Sequence, residues 1–191
     1  NYNNHPRYVV NIIYNYIHAR NTNMAIQLRS YQQRAIDDLR QSLLGGKRRV
    51  VIQSPTGSGK TVIAAAIVNM ARAKDKRVIF AVPALSLIDQ TVERFRQNGI
   101  YEIGVMQGQH EMTDYEQPVQ VCSVQTLARR HPPKADLVIL DEAHVMFKLY
   151  DDWMNRPEWA HVPFVGLTAT PWAKGMGASG RWDHLIIGST L

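Results

Sequence analysis

Apolar residues in this chain form short continuous runs, separated by longer segments in which they recur with helical spacing. Several of the runs, such as Val78–Val82, are apolar throughout instead of alternating with polar residues. Continuous runs of this kind are typical of strands in a parallel sheet that helices cover on both faces. We therefore predict six strands, at 49–53, 78–82, 103–106, 119–123, 137–141 and 164–168.

Helices are predicted before the first strand and between most of the later ones, at 30–44, 61–73, 85–97, 124–130 and 143–152. Ser30 and Gln33 have the spacing of a capping box, which marks the start of the first helix. The alternation of strand and helix predicts an α/β fold with a doubly wound, mostly parallel sheet. A chain of 191 residues is long enough for one such domain.

A glycine-rich turn follows the first predicted strand and leads into the next predicted helix. Such a turn points several backbone N–H groups at one place, which suits a polyphosphate. Lys60 can then reach the β- and γ-phosphates of ATP, and the Thr61 hydroxyl can bind Mg²⁺. Ser54 stands where the general phosphate-loop pattern has glycine. The residues predicted to hold the nucleotide are Ser54, Pro55, Thr56, Gly57, Ser58, Gly59, Lys60 and Thr61.

Two consecutive carboxylates follow the apolar run 137–140, within the sequence Asp141-Glu142-Ala143-His144. The carboxyl ends of strands are where α/β sheets bind their ligands. Nucleotide hydrolysis requires one carboxylate for the metal and one that orients and deprotonates water. We predict that Asp141 holds Mg²⁺, that Glu142 activates water, and that Lys60 completes the catalytic set.

The composition limits the classes of partner. Lys and Arg outnumber Asp and Glu by 22 to 16, a net charge of +6, which favours a polyanionic partner such as nucleic acid. The single cysteine, Cys122, excludes an internal disulfide and fits a cytoplasmic protein. The seven His residues lack zinc-ligand spacing, and no apolar run has the roughly 20 residues of a membrane span. We therefore expect neither zinc nor a membrane.

Residues 1–23 differ from the rest of the chain, because they are rich in Asn, Tyr and Ile and contain no acidic residue. We predict that they form an extension outside the domain, which then spans 24–191. The alternative is an additional strand or helix, since 8–17 contains enough apolar residues to pack.

The order of these motifs resembles superfamily 2 helicases and translocases over residues 28–171. The likeness is to the N-terminal RecA-like domain, a phosphate-loop NTPase lobe, of members with a D-E-A-H box. The sequence L-R-S-Y-Q at 28–32 matches a family element whose glutamine reads adenine, which implies this role for Gln32.

The resemblance also implies residues that contact nucleic acid or couple to it. The segments 82–90 and 123–127 are similar to two family motifs that grip the nucleic-acid backbone, which implies contacts from Pro83, Gln90, Gln125 and Thr126. The segment 166–171, G-L-T-A-T-P, resembles the motif that connects the nucleotide site with the nucleic-acid track. The implied coupling residues are His144, Thr168 and Thr170.

Three functions fit this resemblance. The forms S-P-T-G-S-G-K-T and T-A-T-P are more like restriction-enzyme motor subunits and repair-type DNA helicases, which favours an ATP-dependent motor lobe acting on duplex DNA. The alternatives are a D-E-A-H RNA helicase lobe and a non-catalytic, ATP-gated nucleic-acid clamp, against which Glu142 argues. In the family a second RecA-like lobe supplies arginine fingers, and nothing after Pro171 matches it. The resemblance therefore implies that this lobe alone hydrolyses ATP very poorly.

Overall fold

The computed structural model describes residues 26–55, 57, 59–145, 148–170 and 182–188. Several sequence predictions lie outside this part of the chain. They are the N-terminal extension, Thr56 and Ser58 of the phosphate loop, and Pro171 of the segment 166–171.

The core of the fold is one seven-stranded sheet in which every pair of neighbouring strands is parallel, in the order β3-β4-β2-β5-β6-β1-β7. This confirms the predicted α/β class. The strands are β1 Arg49–Gln53, β2 Val78–Val82, β3 Ile103–Met106, β4 Val119–Ser123, β5 Leu137–Leu140, β6 Phe164–Thr168 and β7 His184–Ile187.

All six predicted strands are present, and only the fifth differs in its bounds, because it ends at Leu140 and leaves Asp141 in a turn. The sequence analysis missed β7. This strand lies at the edge of the sheet beside β1, and only Ile186 of its four residues is buried. A strand with one buried residue lacks the continuous apolar run that identified the others.

Five α-helices surround the sheet in the described part of the chain: α1 Ser30–Leu44, α2 Lys60–Arg72, α3 Ile88–Gln97, α4 Val124–Leu127 and α5 Lys148–Met154. Short 3₁₀ turns occupy Leu85–Leu87 and Pro157–Trp159. Among the residues with described positions, none of these helices is long and apolar enough to cross a membrane.

Three helix predictions need correction. The predicted helix at 85–97 begins with the 3₁₀ turn, and the one at 124–130 ends at Leu127. The helix predicted at 143–152 is not formed at 143–145, because the Ala143 N–H donates to the Leu167 carbonyl at 2.8 Å and holds this segment in a turn against β6; the described helix spans Lys148–Met154.

The predicted capping box of α1 is also wrong by one residue. The N-cap is Arg29, whose N–H donates to Gln32 Oε1 at 2.9 Å. Gln33 instead donates from its amide to Asp37 Oδ1 at 3.2 Å, one turn along the helix. The buried Gln32 side chain therefore determines where the helix starts.

The sheet has an apolar layer on each face. Val78 and Phe80 of β2 pack into a cluster with α1, α2 and α3, whereas Ile79 and Ala81 pack into a second cluster with α4 and α5. This division follows from the pleat, since successive side chains of a strand point to opposite faces. Helices on both faces leave the carboxyl edge of the sheet as the place for a site.

A partly buried arginine joins the start of β1 to the segment before β6. The Arg49 guanidinium donates to the carbonyls of Val162, Met154 and Trp159 at 2.6, 2.8 and 3.1 Å. It also lies 4.5 Å from the centre of the Phe164 ring. These contacts hold the long connection after the acidic turn against the sheet.

Replacing Arg49 with Lys should destabilise the fold, because an ammonium group cannot reproduce the planar fork that reaches three carbonyls and stacks on a ring. We expect a loss of about 2–3 kcal/mol and a melting temperature lower by roughly 5–10 °C. Thermal unfolding followed by circular dichroism measures this. Arg129→Lys, a change at an exposed arginine, is the control and should leave the melting temperature nearly unchanged. Equal melting temperatures for both variants would contradict the role given to Arg49.

Candidate nucleotide site

The candidate site lies at the carboxyl edge of the sheet, where β5, β6 and β1 are neighbours. The central strand, β6, binds the loops that follow the other two. The Ser54 N–H donates to the Thr168 carbonyl at 2.8 Å, and the Ala143 N–H donates to the Leu167 carbonyl at the same distance. These two bonds bring the phosphate loop and the acidic turn to the same point.

Close packing on β6 fixes the acidic turn further. A Cβ at Gly166 would lie 2.7 Å from Ala143 Cβ and 2.8 Å from the Trp182 ring, so only glycine leaves room for both side chains. Trp182 precedes β7, and the sequence analysis gave it no role. It links the start of the edge strand to the acidic turn.

Two glycines of the phosphate loop, Gly57 and Gly59, have the left-handed backbone that favours glycine. Gly59 has a φ of +83° and is the N-cap of α2, and no side chain caps this helix. The first N–H groups of α2 therefore point into the loop, as an anion site requires.

Gln32 packs directly on this loop. It is 3% exposed, and its Nε2 lies only 2.5 Å from where a Cβ of Gly59 would be. The structure thus brings α1 to the nucleotide loop, although the predicted contact of Gln32 with adenine stays a prediction.

An ion pair connects the loop to the acidic turn. Lys60 Nζ donates to Glu142 Oε1, and the two side chains are 15% and 31% exposed. Glu142 has a φ of +50°, a left-handed conformation that costs about 1 kcal/mol or more for a residue other than glycine. The predicted phosphate-binding lysine and the predicted water-activating carboxylate are therefore partners here.

A series of polar contacts continues from Glu142 to the end of β6. His144 Nδ1 lies 3.2 Å from Glu142 Oε2 and 3.0 Å from Thr168 Oγ1. Thr168 Oγ1 also accepts from the Thr170 N–H at 3.1 Å. The three predicted coupling residues are thus in contact with one another and with the acidic turn.

Asp141 and Thr61 form the side of the site that suits a metal. The Asp141 N–H donates to the Ala81 carbonyl at 2.9 Å, and its Oδ1 accepts from the Glu142 N–H at 3.0 Å. Burial raises the pKa of Asp141, and the Glu142 carboxylate raises it further, while Lys60 and Arg94 oppose this. A carboxylate in this position is stabilised by added positive charge.

These residues fit Mg²⁺. The ion prefers oxygen ligands and is commonly held by one or two protein groups together with substrate phosphates. Asp141 and Thr61 offer one carboxylate and one hydroxyl, and both line the same small cavity. The sequence analysis missed Arg94, whose Nη1 donates to Thr61 Oγ1 at 3.3 Å. The only sequence signal was its position one helical turn after Gln90.

The four predicted nucleic-acid residues do not form one surface. Gln125 Nε2 donates to the Pro83 carbonyl at 3.4 Å, so these two are adjacent. Thr126 is buried, and its hydroxyl lies 3.2 Å from Ser123 Oγ inside the cap of α4. Gln90 lines the cavity beside Thr61 and Asp141. Contacts of any of them with nucleic acid stay predictions.

A protein-family model described as the res subunit of type III restriction enzymes matches residues 25–173. The chain belongs to this family. The matched region contains the phosphate loop, the acidic turn and β6. This confirms the sequence-based interpretation that placed the chain with restriction-subunit motor domains of superfamily 2.

Two relatives illustrate the similarity. A 51.5 kDa protein of a Lactococcus phage (isolate 7-9) is 34% identical over 147 residues, which are 74% of this chain and 28% of that protein. The DNA 3'-5' translocase XPB2 of Sulfurisphaera tokodaii is 29% identical over 147 residues, 76% of this chain and 31% of that protein. The chain thus spans less than a third of the length of either relative.

The fold is that of a RecA-like helicase domain. The structure matches the UvsW helicase from Bacteriophage T4 with a TM-score of 0.73 and 18% identity, over 92% of this chain and 66% of that one. The predicted RecA-like fold is therefore confirmed.

Gly59→Ala should disturb the site more than Gly57→Ala does. Both positions have positive φ, but an added Cβ meets the Gln32 amide only at Gly59 and nothing within 4 Å at Gly57. We expect Gly59→Ala to lower the unfolding free energy by about 1 kcal/mol more than Gly57→Ala does. The added methyl group would displace Gln32 and break its hydrogen bond with the Arg29 N–H. Denaturant unfolding of both variants measures the difference. Equal losses would show that Gln32 does not pack on the loop.

Proposed function

We propose that this chain is the ATP-binding motor lobe of an ATP-dependent DNA helicase or translocase, which couples ATP hydrolysis to movement on duplex DNA or to its unwinding. The observation that carries the proposal is the ion pair between Lys60 and Glu142, with Asp141 and Thr61 beside it. A phosphate-binding cation, a metal-binding pair and a water-activating carboxylate then occupy one edge of the sheet.

ATP binding changes the partner of Lys60. The β- and γ-phosphates carry more negative charge than one carboxylate, so the Lys60 amine moves from Glu142 to them. Glu142 is thereby released to orient water and accept its proton. Asp141 and Thr61 would hold Mg²⁺, and the ion would supply positive charge beside the phosphate oxygens. We infer that Gln32, which packs beside the loop, binds the adenine.

We infer that the release of Glu142 from Lys60 affects β6 through His144. The same Nδ1 atom is close to both Glu142 and Thr168, so a change in the first contact alters the second. Thr168 also holds the Thr170 N–H. We infer that the state of the nucleotide is transmitted along this path to the segment after β6.

Nucleic acid is the proposed partner. The net charge of +6 favours a polyanion, and one relative of this chain is named a DNA translocase. Gln125 and the Pro83 loop, adjacent at the ends of β4 and β2, offer the kind of group that contacts phosphates without reading sequence. A second RecA-like lobe in the whole protein would supply the arginine that completes the site.

Replacing Glu142 with Gln in the whole protein should separate binding from hydrolysis. An amide keeps the size of the side chain but cannot accept a proton from water, so steady-state phosphate release with duplex DNA should fall by about 10²-fold or more. Calorimetry should show that ATP still binds, since the amide no longer pairs with the charge of Lys60.

Lys60→Ala is the complementary variant. It removes the charge that contacts the phosphates, and the ATP affinity should fall about 10- to 100-fold. Hydrolysis at the wild-type rate by Glu142→Gln would exclude Glu142 as the base. An unchanged ATP affinity of Lys60→Ala would exclude this loop as the nucleotide site.

Binding to duplex DNA should be salt-sensitive and independent of sequence. If the contacts are to phosphates, the logarithm of the affinity falls linearly with that of the salt concentration, with a slope of about −0.9 for each phosphate neutralised. Fluorescence anisotropy with two unrelated DNA duplexes and one RNA duplex measures both properties. A salt-independent or sequence-selective complex contradicts the proposal, and ATPase stimulation of the whole protein by RNA alone favours an RNA helicase.

A further inference from the structure

Arg94 on α3 extends to the metal side of the candidate site. Its Nη1 donates to Thr61 Oγ1 at 3.3 Å, the hydroxyl assigned to Mg²⁺. Arg94, Thr61 and Asp141 line one small cavity. The guanidinium also acts electrostatically on the Asp141 carboxylate. One side chain thus faces both protein groups that would hold the metal.

The backbone under Arg94 is firmly placed, so any movement in response to a ligand belongs to its side chain. Val92 and Phe95 on the same helix are buried in the core. The Phe95 ring packs edge-on against Phe80 of β2, with ring centres 5.0 Å apart. The Thr91 hydroxyl donates to the Leu87 carbonyl at 2.8 Å and fixes the first turn of the helix. The Arg94 side chain itself is exposed and can swing away.

Arg94 and a divalent cation cannot both remain beside Thr61 and Asp141 without strong repulsion. The guanidinium donates to the hydroxyl oxygen that the metal would ligate, and both cations are attracted by the same carboxylate. Like charges at such short range repel strongly where solvent screening is incomplete. The two occupants therefore exclude each other.

We propose that Arg94 is a positioning residue that takes the place of the metal when none is bound. It holds the Thr61 hydroxyl and adds to the positive charge near Asp141 in the nucleotide-free lobe, supports the phosphates of metal-free ATP, and moves aside for Mg²⁺. The inference rests on the proposed ATP site and adds a role that hydrolysis itself does not require. Its consequence is that the protein depends less on Mg²⁺ for nucleotide binding than a lobe without this arginine.

The test compares nucleotide affinity with and without metal. Isothermal calorimetry with a non-hydrolysable ATP analogue gives the Kd in EDTA and in saturating Mg²⁺, and the ratio of the two Kd values is the readout. For Arg94→Gln we expect the Kd in EDTA to rise about three- to tenfold, the effect of one exposed charge-assisted contact, with little change in Mg²⁺. The ratio of the Kd in EDTA to the Kd in Mg²⁺ therefore rises. Arg94→Lys keeps the charge and should recover part of the loss.

Arg96→Gln is the matched control. Arg96 is an exposed arginine on the same helix, with its Nη2 3.3 Å from Met112 Sδ, and its loss should leave the ratio unchanged. If Arg94→Gln weakens binding equally in both conditions, or only in Mg²⁺, or in neither, the inference is overturned while the ATP site stands. If the unaltered protein binds no nucleotide in either condition, the proposed function falls with it.

Discussion

The ion pair between Lys60 and Glu142 joins residues 82 positions apart, and it exists only because β6 lies between β1 and β5. Each outer strand ends in a loop that is bound to β6 by a backbone hydrogen bond. If the register of either pairing shifted by one residue, every side chain of that strand would move to the opposite face of the sheet. The site therefore depends on sheet register before it depends on any catalytic side chain.

Charge balance explains how the charged side chains are arranged at this edge of the sheet. Asp141 and Glu142 are adjacent carboxylates at a partly buried edge, where burial and the charge of Glu142 raise the pKa of Asp141. Lys60 pairs with Glu142 and also opposes the rise in the pKa of Asp141, with a smaller contribution from Arg94. Nucleotide and metal would take over these partners. The protein cations thus maintain, without ligand, the geometry that the ligands require.

The sequence was sufficient to predict the six strands, because five of them are central and buried on both faces or nearly so, and β3 is buried at all four positions. It was also sufficient to place the glycine-rich turn after β1 and the acidic turn after β5, since both motifs are local. The edge strand β7 was not predicted, because only one of its residues, Ile186, is buried. Its pairing with β1 is a tertiary contact, which no local sequence pattern encodes.

Side-chain contacts between distant segments were the other part that sequence could not supply. The capping box was placed at Ser30 because the residue spacing fits, whereas the structure uses Gln32, which is buried against the phosphate loop. In the sequence Arg94 is an ordinary charged residue on a predicted helix. Its contact with Thr61 follows from the packing of α3. The structural role of Arg49 likewise depends on hydrogen bonds to three carbonyls more than 100 positions away along the chain.

Thr168 shows how much of the site converges on one buried residue. Its carbonyl accepts from the Ser54 N–H of the phosphate loop, and its hydroxyl contacts both His144 and the Thr170 N–H. It is fully buried, so these groups have no water to replace a lost partner. Valine would keep the shape but lose both hydroxyl contacts, which is why such a pair of residues is not interchangeable in a core. A displacement of the phosphate loop or of the acidic turn would therefore change the contacts of Thr168 at the end of β6, and this convergence is the reason to propose Thr168 as a coupling residue.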